Sequence, residues 1–271
     1  MPAEVASPST SPPSALKPGG EATLAQLLGL LTVAPEDRTG YDRSHFRHWI
    51  DADGDGCDTR REVLIDEAVV PPVVGGGCSL SGGRWLSLYD GLVLTDASKL
   101  QIDHVVALAE AWDSGASAWT ANRRMRFAND LDVSWSLIAV SGSSNQSKSD
   151  RDPADWVPPD PVDLCPFVSA WIAIKVRWDL SVDPRERDAL SAFVTDCPAS
   201  RMPFAPVPPS GDETPSATVG GAGCSPAYPN VCIPPPPPDL DCGDVPYRRF
   251  SVLAPDPHHF DGDHDGIGCE I

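Results

Sequence analysis

The residues best suited to chemistry are Asp103 and His104, adjacent within the apolar run L-Q-I-D-H-V-V-A-L at positions 100–108. An imidazole changes charge near neutral pH and can therefore accept or release a proton there. A second polar group, Asn145-Gln146-Ser147-Lys148, follows another apolar run at 135–140. Two acidic stretches suggest cation binding instead. Asp51, Asp53 and Asp55 alternate with small residues in D-A-D-G-D-G-C-D-T-R, and Glu62 takes the twelfth position, as in a calcium loop. Cys57 interrupts that pattern and no flanking helix pair is evident, so an acidic turn tethered by Cys57 is the competing reading. Near the end, Asp261, Asp263 and Asp265 occur in F-D-G-D-H-D-G-I-G-C-E-I. Carboxylates crowded at that spacing repel unless a cation sits among them.

These groups need elements to hold them. The β-branched run around Asp103 reads as a short strand. Neighbouring strand residues face opposite sides, so Asp103 and His104 serve one site only if the strand bends or ends there. The helical look of 107–112 makes an end plausible. The predicted order is a strand with Asp-His, a helical insert, a second strand, then a helix opened by Asn145. Leu24, Leu27, Leu28 and Leu31 predict an amphipathic helix over 21–31. Further helices are expected over 167–178 and 185–193, with prolines in 150–159 stopping the site helix. Trp85, Tyr89, Trp112, Trp119, Phe127 and Trp135 are expected in the core rather than stacked on a ligand.

In order and spacing, the blocks G-Y-D-R, D-G-D-G-C-D-T-R, I-D-H-V-V-A-L-A-E-A-W-D-S-G-A, F-A-N-D and N-Q-S-K-S-D-R-D-P-A-D-W resemble the HNH nuclease superfamily. The branch is that of the C-terminal domain of GmrSD-type restriction endonucleases, which includes small secreted bacterial nucleases. The resemblance spans about positions 41 to 197. It implies an α+β fold with a ββα-metal core and additional packed helices. It also implies metal-dependent hydrolysis of phosphodiesters in DNA, with RNA as a second candidate substrate, and with little sequence preference. By the same resemblance Asp103 holds a divalent ion and His104 is the general base. Asn145 stands where many HNH enzymes place a second ligating His, and Lys148 follows it. An amide oxygen suits Mg²⁺ better than Zn²⁺. Arg60, in C-D-T-R, is implied at the scissile phosphate, with a surface salt bridge as its competing role. The family's middle Asn aligns with Ser136; Asn129 is the nearest amide, either orienting His104 or fixing the hairpin loop.

Composition frames these expectations. Among 271 residues, 30 prolines and 22 glycines cluster towards the start and after Arg201. The predicted organisation is a disordered segment 1–20, a nuclease domain 21–200, a proline-rich linker 201–238 and a module 239–271. Consecutive prolines at 234–238 predict a stiff polyproline II spacer. The module resembles the Excalibur calcium-binding unit, which implies Ca²⁺ ligation by Asp261, Asp263, Asp265 and Glu270. Eight cysteines without a C-x-x-C pair favour disulfides and an exported protein. Sequential pairing gives Cys57–Cys78, Cys165–Cys197, Cys224–Cys232 and Cys242–Cys269. No signal peptide is visible, and no stretch is apolar enough to span a membrane. A net charge of −19 is unusual for a protein that binds nucleic acid. A local basic patch is therefore required, with Arg60, Arg61, Arg123, Arg124, Arg126, Lys148 and Arg151 as candidates. The alternative is a non-catalytic, calcium-dependent cell-envelope binding protein, favoured by Ser136 and by the acidity. A zinc structural protein is disfavoured by the cysteine spacing.

Overall fold

The structure, a computed structural model, describes residues 16–208 and, beyond them, 225, 227–228, 231, 233–245, 250–253, 255–262 and 267–269. These form an α+β fold. In chain order the elements are β1 (Glu21–Thr23), α1 (Leu24–Leu28), α2 (Thr59–Asp66), β2 (Val73–Gly75), β3 (Ser79–Ser81), β4 (Trp85–Leu86) and β5 (Val93–Leu94). There follow β6 (Leu100–His104), α3 (Leu108–Asp113), α4 (Ala121–Ala128), β7 (Leu137–Ser141), α5 (Gly142–Lys148), α6 (Leu164–Trp178) and α7 (Pro184–Asp196). The last strands are β8 (Arg201–Pro203), β9 (Phe250–Ser251) and β10 (Ile267–Gly268). Each sheet among the described residues is an antiparallel pair: β1 with β8, β2 with β3, β4 with β5, β6 with β7, β9 with β10.

The β6–β7 hairpin is the frame of the molecule. Asp103 pairs with Ile138 and His104 with Leu137. Alternation along the hairpin makes two apolar faces. Leu100, Ile102, Leu137 and Ala139 pack with Val63 and Leu64 of α2 and with Trp85. Ile138 and Val140 join the larger core around Phe167, Trp171, Ile172 and Trp178 of α6. Helix α5 follows β7 without a gap, its first turn capped by Ser141, whose hydroxyl accepts from Ser144 N at 3.1 Å.

The helix expected over 21–31 is shorter than its leucine pattern. Thr23 and Gln26 form a capping box, with Gln26 N on Thr23 Oγ1 at 3.2 Å and Thr23 N on Gln26 Oε1 at 2.9 Å. That cap starts α1 at Leu24 and leaves 21–23 to pair with β8. The body also runs past residue 200, since Val207 is buried in the main core and its N–H donates to Arg177 O at 2.7 Å. A second small core gathers Val245, Val252, Phe260 and Cys269 together with Ala227, Tyr228 and Ile233, which precede the proline run.

Disulfides join Cys57 to Cys78, Cys165 to Cys197 and Cys242 to Cys269, as sequential pairing predicts. The Cys224–Cys232 pairing lies outside the described residues, as do 1–15. No described helix is long and apolar enough to cross a membrane.

Candidate active site

Strand β6 ends at His104, and this allows two side chains of opposite parity to reach one cleft. The cleft has a volume of about 300 Å³, and Gln101, Asp103, His104, Asn145, Tyr41 and Arg43 are among the residues lining it. Asp103, His104 and Asn145 therefore line one cleft.

Each of them is held from behind. Asp103 is buried and accepts from the Tyr89 hydroxyl at 2.6 Å and from Lys148 Nζ at 2.9 Å, on separate oxygens. Burial pushes its carboxyl above the ordinary range, against the pull of Lys148 and Tyr89. Burial and the neighbouring Asp103 carboxylate push the Tyr89 phenol well above its usual value. Lys148 Nζ also donates to the His104 carbonyl at 3.0 Å. One ammonium thus fixes both the Asp103 side chain and the backbone of the next residue.

His104 is buried, and its Nε2 lies 2.9 Å from the Ala128 carbonyl. A carbonyl only accepts, so Nε2 carries the proton and Nδ1 keeps a lone pair. Among the described residues Nδ1 has no hydrogen-bond partner. Trp49 tilts against the ring with centroids 5.5 Å apart, and the His48 ring lies 6.4 Å away. Burial drives the imidazole down to about 3, so it is neutral at ordinary pH. Asn145 donates through Nδ2 to Gln101 Oε1 at 2.9 Å. Its amide oxygen has no partner among the described residues.

Asn129 does not touch His104. Its oxygen accepts from Ile50 N at 3.2 Å and Thr59 Oγ1 at 2.8 Å, and its nitrogen donates to the carbonyls of Arg47 and Met125 at 2.8 Å each. It follows Ala128 directly, so it fixes the end of α4 whose carbonyl holds His104. Ser136, at the family's middle position, donates to Asp130 Oδ2 at 3.2 Å. Its own carbonyl takes Val105 N at 3.1 Å.

The expected cations are placed differently. Arg60 donates to the carbonyls of Ala97 and Leu100 at 3.2 and 3.1 Å, bracing the start of β6 rather than reaching the cleft. Lys148 is fully enclosed and stands behind the site. Arg123 is buried, with Nη2 on the Trp178 carbonyl at 2.9 Å. Arg124 donates to the carbonyls of His45, Ala116 and Trp119. Arg61 pairs with Asp58 at 2.6 Å, and Arg151 donates to the Lys148 carbonyl at 3.2 Å. Arg126 is exposed on α4 and does not line the cleft. A guanidinium is a strong donor, and where no phosphate competes, helix ends and loop carbonyls claim it. The cation that does line the cleft, Arg43, sits in the G-Y-D-R block. Tyr89 carried no signal in the sequence beyond its apolar surroundings.

Ligand atoms of Asp51, Asp53 and Asp55 lie within 4.8 Å of one another on an exposed loop. Asp51 accepts from Gly54 N and Gly56 N at 2.8 and 3.0 Å. Glu62, in the first turn of α2, is raised by burial and then by Asp53, Asp55 and Asp51. In the C-terminal module, Asp261 N donates to Asp256 Oδ2 at 2.9 Å. Asp263, Asp265 and Glu270 lie outside the described residues.

Residues 80–193 match the family described as GmrSD restriction endonucleases, C-terminal domain. The chain is also similar to a protein of Arthroderma benhamiae described as an uncharacterized secreted protein. The two are 43% identical over 176 residues, which is 65% of this chain and 85% of that protein. Over residues 80–193 the chain carries a GmrSD-type C-terminal domain. That domain contains the whole β6–β7–α5 hairpin and helix, Tyr89 and most of α7, while Arg43, Arg60 and the Asp51 loop lie outside the matched residues. No solved structure matches the chain.

Proposed function

We propose that this protein is an exported, metal-dependent HNH-type endonuclease that hydrolyses phosphodiester bonds in DNA, and in RNA where it is accessible. The observation that carries the reading is the tautomer of His104. Its Nε2–H is committed to the Ala128 carbonyl, so its lone pair on Nδ1 is the proton acceptor in a cleft shared with Asp103 and Asn145. A neutral imidazole held in one orientation is what deprotonation of an attacking water requires. An anionic phosphate entering the cleft raises the basicity of that ring, because an opposite charge favours the imidazolium.

The donor set also fits a hard divalent cation. Asp103 keeps lone pairs beyond those used by Tyr89 and Lys148, and among the described residues no donor competes for the Asn145 amide oxygen. Mg²⁺ binds oxygen donors and retains most of its waters, for which the cleft has room. When bound, such an ion supplies charge stabilisation to the phosphoryl and leaving oxygens. The chain's own contribution is to hold Asp103 through Tyr89 and Lys148 and to keep Nδ1 of His104 unprotonated. The three disulfides and the secreted relative support export.

Plasmid nicking with Mg²⁺, and its loss in EDTA, tests the reading. His104→Ala is expected to lower cleavage by about 10²- to 10⁴-fold with unchanged far-UV circular dichroism. A wild-type protein that leaves plasmid and RNA intact over a series of divalent ions would refute the assignment.

A further inference from the structure

The chain carries 20 Lys and Arg against 39 Asp and Glu, yet a nuclease must hold a polyanion. Most cations near the site are already committed. Lys148 is on Asp103, Arg60 is on backbone carbonyls, and Arg38 bridges Asp113 and Asp150 at 2.6 and 2.7 Å. One segment nearby is basic in sequence. Residues 43–48 read R-S-H-F-R-H, two arginines and two histidines without an acid.

This segment is built to lie beside the cleft with its polar side outward. Phe46 is buried in the main core, while Arg43, His45 and Arg47 are exposed. Asp42 caps its first turn, accepting from Ser44 N at 2.8 Å. The Arg47 carbonyl accepts from Asn129 Nδ2 at 2.8 Å, and the His45 carbonyl from Arg124 Nε at 3.2 Å. The His45 ring stacks on Trp112 with centroids 4.9 Å apart. The strip is thus tied to α4, whose end also carries the carbonyl that orients His104.

Arg43 is the one residue of the strip that lines the cleft. It shares that cleft with Tyr41, Asp103 and His104. Among the described residues no carboxylate forms an ion pair with it. We propose that residues 43–48 are the docking strip for the phosphodiester backbone, with Arg43 gripping the phosphate next to His104. A guanidinium suits that contact because its planar fork gives two parallel hydrogen bonds to phosphate oxygens. The inference rests on the endonuclease reading and adds the surface by which an acidic protein holds its substrate.

Binding is measured separately from cleavage. Fluorescence anisotropy with short labelled duplex and single-stranded DNA, in EDTA and in the His104→Ala background, reads affinity alone. Arg43→Ala is expected to weaken binding about tenfold and to reduce the slope of log affinity against log salt by about one. Arg43→Lys keeps the charge but loses the fork, so it should recover the slope and only part of the affinity. Arg185→Ala, which breaks an exposed pair with Asp155, should change neither. If the wild type cuts DNA while Arg43→Ala binds with unchanged affinity and slope, the docking strip is wrong and the endonuclease reading stands. If the wild type neither cuts nor binds nucleic acid, both fall.

Discussion

Two buried ionic groups lie in the same core and end differently. On α6, Lys175 meets Glu110 at 2.6 Å and Glu186 at 2.7 Å, and also donates to Ser114 Oγ and the Ser181 carbonyl at 2.9 Å. Glu186 further accepts from Trp171 Nε1. On the hairpin, Lys148 meets Asp103 at 2.9 Å, Tyr89 adds its hydroxyl, and the neighbouring His104 is fixed by Ala128. Both lysines are wholly enclosed. At α6 the ammonium is closed off, its protons all going to protein acceptors around it. The hairpin group opens onto a cleft and keeps unused acceptors there, on Nδ1 of His104 and the amide oxygen of Asn145. Burial of charge alone therefore does not mark a site. Acceptors left over towards solvent, on groups held rigidly from behind, do.

The comparison breaks most visibly at the two lysines. Lys175→Met leaves Glu110 and Glu186 buried against each other without a cation. Removing one partner of a buried pair costs about 3–5 kcal/mol, so this variant should lose that much in urea unfolding or fail to fold. Lys148→Met leaves one carboxylate, still bonded to Tyr89 and close to the cleft's solvent. A loss of about 1–3 kcal/mol is expected there. Nicking activity should nevertheless fall by at least about tenfold, because both the Asp103 side chain and the His104 backbone lose their anchor. A Lys148→Met protein as unstable as Lys175→Met, or one that nicks at the wild-type rate, would erase the distinction.

A smaller effect is expected at Asn129, which has no contact with the cleft. Asn129→Ala removes four hydrogen bonds around the end of α4, two of them to the segment 47–50. The expected cost is about 1–3 kcal/mol. If Asn129 acts through the Ala128 carbonyl, kcat should fall while affinity measured in EDTA changes little. Parallel loss of both would place Asn129 with the docking strip instead.

The hairpin and its helix were legible because local rules carry them. The β-branched run and its end at a helical stretch act over a few residues; the Ser141 cap, which starts α5 at Gly142 and places Asn145 inside the helix rather than at its opening, was not read. The three disulfides were legible because sequential pairing closes short loops. The arginines were not. Arg60, Arg123 and Arg124 read as free cations, but each is claimed by carbonyls that only the tertiary fold brings near. Tyr89 and Gln101 hold Asp103 and Asn145 across sequence gaps of 14 and 44 residues, and no periodicity encodes such a pair. The same reason hid the Ala128 carbonyl behind His104, since a backbone acceptor has no residue type to read. The leucine spacing over 21–31 misled because the Thr23–Gln26 cap overrides it.

Glu67 gives the mildest test, as a partly buried carboxylate with no lysine partner among the described residues, at the edge of a separate cleft beside Val63 and Leu137. Its Oε2 accepts from Ala139 N at 2.6 Å, and among the described residues no cation pairs with it. Burial raises it from 4.5 to about 7, the Ala139 bond opposing. The folded protein therefore holds this proton more tightly than the unfolded chain does. The stability it contributes is complete below about pH 4.5 and is lost as pH rises through about 7. Glu36, raised to about 8, and Glu186, raised to about 7, act in the same direction. The wild type should thus melt at a lower temperature at pH 8 than at pH 5. Glu67→Gln keeps an acceptor for Ala139 and removes one titration, so it should match the wild type at pH 5 and exceed it by about 1–2 kcal/mol at pH 8. A gap between the two proteins that stays constant from pH 5 to 8 would mean that Glu67 reaches water well enough to ionise freely. In that case a buried carboxylate here does not need a cation to tolerate its charge, and the contrast between the closed and open groups would lose its premise.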